Sequence, residues 1–233
     1  MIKKAMILAA GFGKRVRPLT LNCPKPLLKI GDQTLLSNTI NFLEKFGIKK
    51  IVINTHHLAE KIYDYINKNN FKSEISLIQE KNNILDTGGG ILNALSNFSN
   101  KPFLTINPDT IWNFNYLKEL KKMENKFFAI NKSKCFMLLV NKNKSFDQNI
   151  NGDFSLKKNL INRKGKKDLK YIYTGLQIIT PEVFTDINYK VFSINKIWNN
   201  LIENQELYGA ESKINFLHVS TLGVYKNLLE KKF

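Results

Sequence analysis

The chain has 233 residues, of which 43% are hydrophobic, 11% aromatic and 24% charged, with 12 Gly, 6 Pro and 2 Cys. That composition excludes collagen, coiled coil and global disorder, and the length suffices for a core that needs no disulfide or metal staple. Lys and Arg outnumber Asp and Glu by 36 to 19, a formal net charge of +17, but the lysines are scattered among asparagines. No RNA-recognition, zinc-finger or basic-helix pattern accompanies them, so the surplus reads as a solvated surface and no specific nucleic-acid partner is expected.

Lys3 and Lys4 precede the apolar run Ala5–Ala9, which soon meets Lys14, Arg15 and Arg17. This run is too short for a signal peptide and reads as a buried first strand. No segment approaches the about 18 apolar residues that span a membrane. A cytoplasmic protein without a membrane partner is expected. Leu35, Leu36, Thr39, Ile40, Leu43 and Phe46 share one helical stripe, which Gly47 stops. Ile51–Ile53 predicts a strand, Leu58, Ile62, Tyr65 and Ile66 a helix, Ile75–Gln79 a strand, Ile91–Leu95 a helix and Phe103–Asn107 a strand. Strands alternating with helices predict an α/β fold, a mostly parallel mixed sheet with helices on both faces.

Beyond residue 140 the pattern loosens. Residues 141–151 predict a polar loop before Gly152-Asp153-Phe154, and residues 162–170 a hairpin connection. Tyr171–Thr180 predicts a strand, Pro181 the first turn of a short helix, and Trp198, Leu201 and Ile202 a further helix. Ile214–Val219 predicts a strand, and Val224, Leu228 and Leu229 a terminal helix. With no repeat and no long linker, one domain is expected over 1–233. Its second half continues the sheet and adds a small antiparallel lobe. Cys23 and Cys135 stand in no ligand-like spacing, so no disulfide is expected.

Four motifs carry chemistry. In Leu8–Thr20, a strand breaks into a loop whose Gly11 and Gly13 let backbone N–H groups approach an anion, and Lys14, Arg15 and Arg17 add positive charge. It is neither a dinucleotide fingerprint, since Val16 replaces the third glycine, nor a Walker A loop, since Arg15 follows Lys14. Pro24 and Pro26 stiffen Lys25, biasing it toward an extended conformation that presents a fixed cation to phosphate. Gly88, Gly89 and Gly90 open a helix at a cost of about 1 kcal/mol each relative to Ala, which suits close approach to a flat ligand such as a base. Asp109 follows the strand Phe103–Asn107, at the strand end where ligands of open α/β sheets collect, and is a candidate Mg²⁺ ligand. His56 and His57 read as loop residues without a role.

With these motifs the chain resembles the sugar-1-phosphate nucleotidylyltransferases: LAAGFGKRVRPLT followed by CPKPLL matches that family's nucleotide-binding signature almost position for position. Within it, LDTGGGILNAL, FLTINPDTIW, NGDFSL and YIYTGLQIITPEVF are most similar to the branch that transfers uridylyl to N-acetylmuramate 1-phosphate in peptidoglycan recycling. The resemblance implies a Rossmann-like nucleotide-diphospho-sugar transferase fold. Residues 1–110 would be the nucleotide-binding half and 111–233 the sugar-phosphate half. It implies that Ala10, Gly11, Gly13, Lys14 and Arg15 bind the triphosphate, that Lys25 neutralises the α-phosphate, and that Gly88 and Gly89 line the base. Asn107, Gly152, Thr174 and Gly175 would face the sugar phosphate.

The same resemblance gives Mg²⁺ to Asp109. The family's second metal aspartate aligns with His218, a ligand better suited to Mn²⁺ than to Mg²⁺. Pro108 replaces the glycine that the family carries before its first metal aspartate, and Ser220 replaces another glycine. The expected partners are a nucleoside triphosphate and a sugar 1-phosphate, with the chain a monomer or weak homo-oligomer. Besides UTP with N-acetylmuramate 1-phosphate, two readings stay open. One is another pair, such as GTP with mannose 1-phosphate; the other is a weakened nucleotide-binding regulator, suggested by His218 and Pro108.

Overall fold

Alternate residues of the first strand go to opposite sides of the sheet, and this sets the layers. In a computed structural model that describes residues 1–163 and 169–231, β1 (Lys4–Leu8) sends Ala5 and Ile7 into one apolar cluster and Met6 into another. The first cluster is covered by α2 (Leu35–Phe46), α3 (Ala59–Lys68) and α5 (Tyr116–Ala129). The second is covered by α4 (Asp86–Ala94) and α6 (Asn195–Glu203). Helices thus lie on both faces, as the alternation predicts.

Strands β4 (Lys50–Thr55), β5 (Glu74–Gln79) and β6 (Phe103–Ile106) run parallel with β1, and the nine-stranded sheet continues through β10 (Tyr171–Ile179), β7 (Cys135–Asn141), β11 (Leu207–Ser212), β9 (Leu160–Asn162) and β8 (Ser155–Lys157). β10 is antiparallel to both neighbours, and β7 and β11 pair in parallel. The antiparallel lobe is the β8–β9 hairpin at the far edge, turned by Lys158 and Asn159 at φ 48° and 68°. A separate two-stranded sheet joins β2 (Lys29–Ile30) to β3 (Gln33–Thr34). α1 (Leu19–Asn22) is a single turn, and α7 (Leu222–Leu229) ends the described chain. Among the described residues no helix is long and apolar enough to cross a membrane.

Three differences from the sequence reading concern the second half. α5 and β7 stand where no element was read: lysines dilute the stripe Tyr116, Leu120, Met123 and Phe127, and β7, buried on both faces, has no polar alternation. The strand expected at Ile214–Val219 falls instead at Leu207–Ser212, while Phe216 and His218 make only isolated bridges. The hairpin connection expected over 162–170 includes 164–168, which lie outside the described residues. Cys23 and Cys135 are free thiols.

Candidate active site

The ends of β1, β4 and β6 open into one cleft of about 470 Å³ lined by Leu8–Val16, Lys25, Pro26, Asn54, Ile84, Asp86, Thr87 and Asn107–Asp109. The glycine loop, Lys25 and Asp109, read from three separate stretches of sequence, therefore face one space. Ala10, Gly11, Lys14 and Arg15 line it as well. A Cβ at Gly11 would meet nothing within 4 Å, so the loop leaves room for a ligand there. Gly13 holds φ +62°, and a Cβ on it would come 2.9 Å from Thr20 Cγ2 and 3.2 Å from Lys25 Cβ. Only glycine joins that backbone to that proximity. The Thr20 hydroxyl and the Val16 N–H both donate to the Gly13 carbonyl, each at 2.9 Å, which closes a single 3₁₀ turn over Lys14–Val16. The Lys14 ammonium lies 5.5 Å from the centre of the Phe12 ring.

Lys25 opens a second 3₁₀ turn, Lys25–Leu27. The extended residue is Pro24, at φ −62° and ψ 140°, and not Lys25 as the sequence suggested. Lys25 is fixed nonetheless: its Nζ donates to Asp109 Oδ2 at 2.5 Å. His218 Nε2 stands 3.1 Å from the same oxygen. It arrives there because the chain after Asp109 pairs with the segment holding His218. Thr110 bridges His218, the Val219 N–H donates to the Asp109 carbonyl at 2.8 Å, and the Ile111 N–H to the Leu217 carbonyl at 2.8 Å. The Asp109 loop is further braced by Asn38, whose side chain bonds both backbone groups of Trp112, while the Trp112 indole donates to the Asn107 carbonyl at 3.0 Å.

Burial pushes the Asp109 carboxyl upward, but the Lys25 ammonium and His218 outweigh it and hold this group well below the ordinary carboxylate range. Its Oδ1 is buried without a partner, as is His218 Nδ1. A buried carboxylate oxygen left free beside an imidazole, at the mouth of a cationic loop, fits a divalent ion that takes its other ligands from phosphate. No group of three or more His, Cys, Asp or Glu able to hold a metal occurs among the described residues.

The remaining residues read from sequence divide. Asn107 lines the cleft and donates its N–H to the Gly175 carbonyl at 2.8 Å. Gly175 holds φ +90° with Asn107 packed on it, where β10 shifts register. Thr174 is buried, with its hydroxyl donating to the Leu138 carbonyl at 2.8 Å. Gly152 lies under Leu169, whose carbonyl a Cβ would meet at 2.0 Å. Gly88 and Gly89 donate their N–H groups to Phe192, at 2.9 and 3.0 Å, and a Cβ there would strike Phe192 or Lys190. Among the described residues these two glycines are packed against the chain near Phe192; Asp86 and Thr87 just before them line the cleft, with Asp86 at φ 61°.

Three groups were missed. Phe12 is held between His56 and His57, with ring centres 5.3 and 5.6 Å away. The His57 Nε2–H donates to the Thr20 carbonyl at 2.7 Å. The histidines therefore brace the glycine loop. Asn54 and Glu80 form a buried polar pair behind it; a polar residue within IVINT was the available signal. Asp153 accepts from the Tyr173 N–H at 2.9 Å, and burial raises its carboxyl against the opposing pull of that bond, Arg163 and His218.

A glycine loop with cations facing an acidic strand end, on a sheet wound this way, defines a phosphate-handling α/β enzyme of the nucleotide-transferring class. The chain belongs to the Nucleotidyl transferase family, which its residues 4–147 match. It is 27% identical over 222 residues to N-acetylmuramate alpha-1-phosphate uridylyltransferase of Caulobacter vibrioides, covering 93% of this chain and 91% of that protein. It is 27% identical to the catalytic subunit beta of mannose-1-phosphate guanylyltransferase of Drosophila melanogaster, covering 89% of this chain and 57% of that protein. HddC from Yersinia pseudotuberculosis, solved in complex with GMP-PN, shares the fold at a TM-score of 0.75 and 23% identity, over 98% of this chain and 99% of that one. The resemblance seen in LAAGFGKRVRPLT and CPKPLL is borne out.

Proposed function

We propose that the chain couples UTP to a sugar 1-phosphate, N-acetylmuramate 1-phosphate, releasing pyrophosphate and a UDP-sugar. The observation that carries this is the meeting of the Gly11–Gly13 loop, Lys25 and Asp109 in one cleft; the uridylyl choice rests on the relative aligned over nine-tenths of both chains. An oxygen of the sugar phosphate attacks the α-phosphorus in line, and pyrophosphate leaves. The nucleophile is already an anion, so no general base is required. The chain's task is to hold two anions together and offset the charge between them.

Loop N–H groups, Lys14 and Arg15 hold the phosphates that leave, and Lys25, steadied by Asp109, meets the α-phosphate. Asn107, with Gly175 behind it, faces the sugar side; Thr174 and Gly152 support that side from the core. Asp109 and His218 would hold the metal, Mg²⁺ or, given the imidazole, Mn²⁺, which when bound neutralises phosphate charge. The reaction would serve peptidoglycan recycling in the cytoplasm.

The test is pyrophosphate release from a panel of triphosphates and sugar 1-phosphates, each with Mg²⁺ and with Mn²⁺. UTP with N-acetylmuramate 1-phosphate is expected to give the highest kcat/KM. A higher value for GTP with mannose 1-phosphate would replace the substrate pair, and nucleotide binding without release from any pair would make the chain a regulator.

A further inference from the structure

The cleft has two walls at its nucleotide side, the glycine loop after β1 and the residues that open α4, and one buried side chain ties them together. Glu80 follows β5 and is 3% exposed. Its Oε1 accepts from Asn54 Nδ2 at 2.7 Å, and Asn54 Oδ1 in turn accepts the Ala9 N–H at 2.9 Å. Its Oε2 accepts the Leu85 N–H at 2.7 Å, immediately before Asp86 and Thr87. Its backbone carbonyl accepts from His56 Nδ1 at 2.5 Å, and the His56 ring meets Phe12 edge to face. Gly90 leaves the space this requires, because a Cβ there would fall 2.8 Å from Asn54 Nδ2 and 2.9 Å from Glu80 Oε1. Glu80 makes no ion pair among the described residues.

We infer that Glu80 is a positioning residue for the nucleotide: it fixes the distance between the glycine loop and the Asp86–Thr87 wall. This rests on the transferase reading above and adds to it a residue that does not itself line the cleft. The donors converge on Glu80 from both ends of the chain of bonds. Ala9 and Leu85 contribute N–H donors at its two ends, so acceptors must face both, and Asn54 cannot reverse its amide without losing Ala9. With asparagine at position 54, only a residue that accepts at both oxygens closes the chain. No hydrogen bond among the described residues joins it to the Lys25–Asp109 pair, so Glu80 governs how the nucleotide is held and leaves the chemistry to others.

The experiment compares three variants with the wild type, using whichever of UTP, GTP, CTP or dTTP the wild type turns over best. Glu80→Gln keeps the shape but sets an amide NH₂ against a donor, so KM for the triphosphate should rise about tenfold, while kcat and the KM for the sugar phosphate stay within about twofold. Asn54→Asp alone sets two carboxylates together and should weaken binding in the same way. Asn54→Asp with Glu80→Gln remakes every bond: the new carboxylate at position 54 accepts from Ala9 and from the new amide at position 80, whose oxygen still accepts from Leu85. This double variant should return the triphosphate KM to within about threefold of wild type, as coupled residues do. An unchanged KM in Glu80→Gln, no recovery in the double variant, or loss of folding in both overturns the inference. A wild type that prefers GTP changes the base in the proposed function and leaves Glu80 to be tested with GTP; one that uses no triphosphate overturns both.

Discussion

The strand ends of β1, β4 and β6 and the region around β10 are built in different ways. Parallel strands β1, β4 and β6 end together at the cleft, and the loops after β1 and β6 each carry a short continuous motif. Glycine spacing and neighbouring cations there suit the phosphate contact proposed above. Around β10, which runs against its neighbours, the candidate residues are single ones from segments distant in sequence: Asn107, Asp153, Gly175 and His218. Several serve the backbone first, as Gly175 does with its left-handed φ and Thr174 with its bond to Leu138. A parallel βα unit writes its site in consecutive residues, whereas an antiparallel assembly writes it across the chain.

Substitutions test that contrast. The largest effect belongs to Asp109, which holds Lys25 and His218 on one oxygen. Asp109→Asn should lower kcat for pyrophosphate release by about 100-fold or more, since it alters the charge at the transferring phosphate, and a loss below about tenfold would detach Asp109 from the chemistry. Lys25→Ala should lower turnover by at least about tenfold, measured in the same assay. Near-normal turnover would remove this cation from the mechanism.

At the same Asp109 oxygen, His218→Asp should raise Mg²⁺-supported activity several-fold and lower the ratio of Mn²⁺- to Mg²⁺-supported rates, because a second carboxylate suits a hard ion. An unchanged ratio would give His218 a role apart from metal. The smallest effect belongs to Thr174→Val. Unfolding in urea should show a loss of about 1 kcal/mol for the missing bond, with the KM for the sugar phosphate within about twofold of wild type. A large rise in that KM would restore Thr174 to direct contact with sugar.

The alternation of strands and helices up to Phe103 was legible because each stripe has its own period and each helix its own stop, as at Gly47. So was the meeting of Gly11, Lys25 and Asp109, since loops that follow parallel strands share one edge of the sheet. β7 was hidden by being apolar on both faces, and α5 by lysines on its solvent side. Ile214–Val219 carries the alternation of a strand, but its neighbours allow it only isolated bridges. At Gly88 and Gly89 the sequence shows the need for small residues without showing what lies beside them. Their small size permits close approach, and what approaches them is Phe192 and Lys190 of the same chain. The Asn54–Glu80 pair gave little signal, because a buried polar contact between two strand ends depends on pairing that one sequence does not display.

In the proposed reaction one nucleotide is gripped at once by the turn around Gly11 and by Lys25, beside Asp109. The most direct test is a crystal structure of the protein with a non-hydrolysable UTP analogue and Mn²⁺. Phosphate oxygens are expected within hydrogen-bond reach of the loop N–H groups and of Lys25 Nζ, with the ion on Asp109. A nucleotide bound elsewhere, or in this cleft with Lys25 turned away from its phosphates, would contradict it.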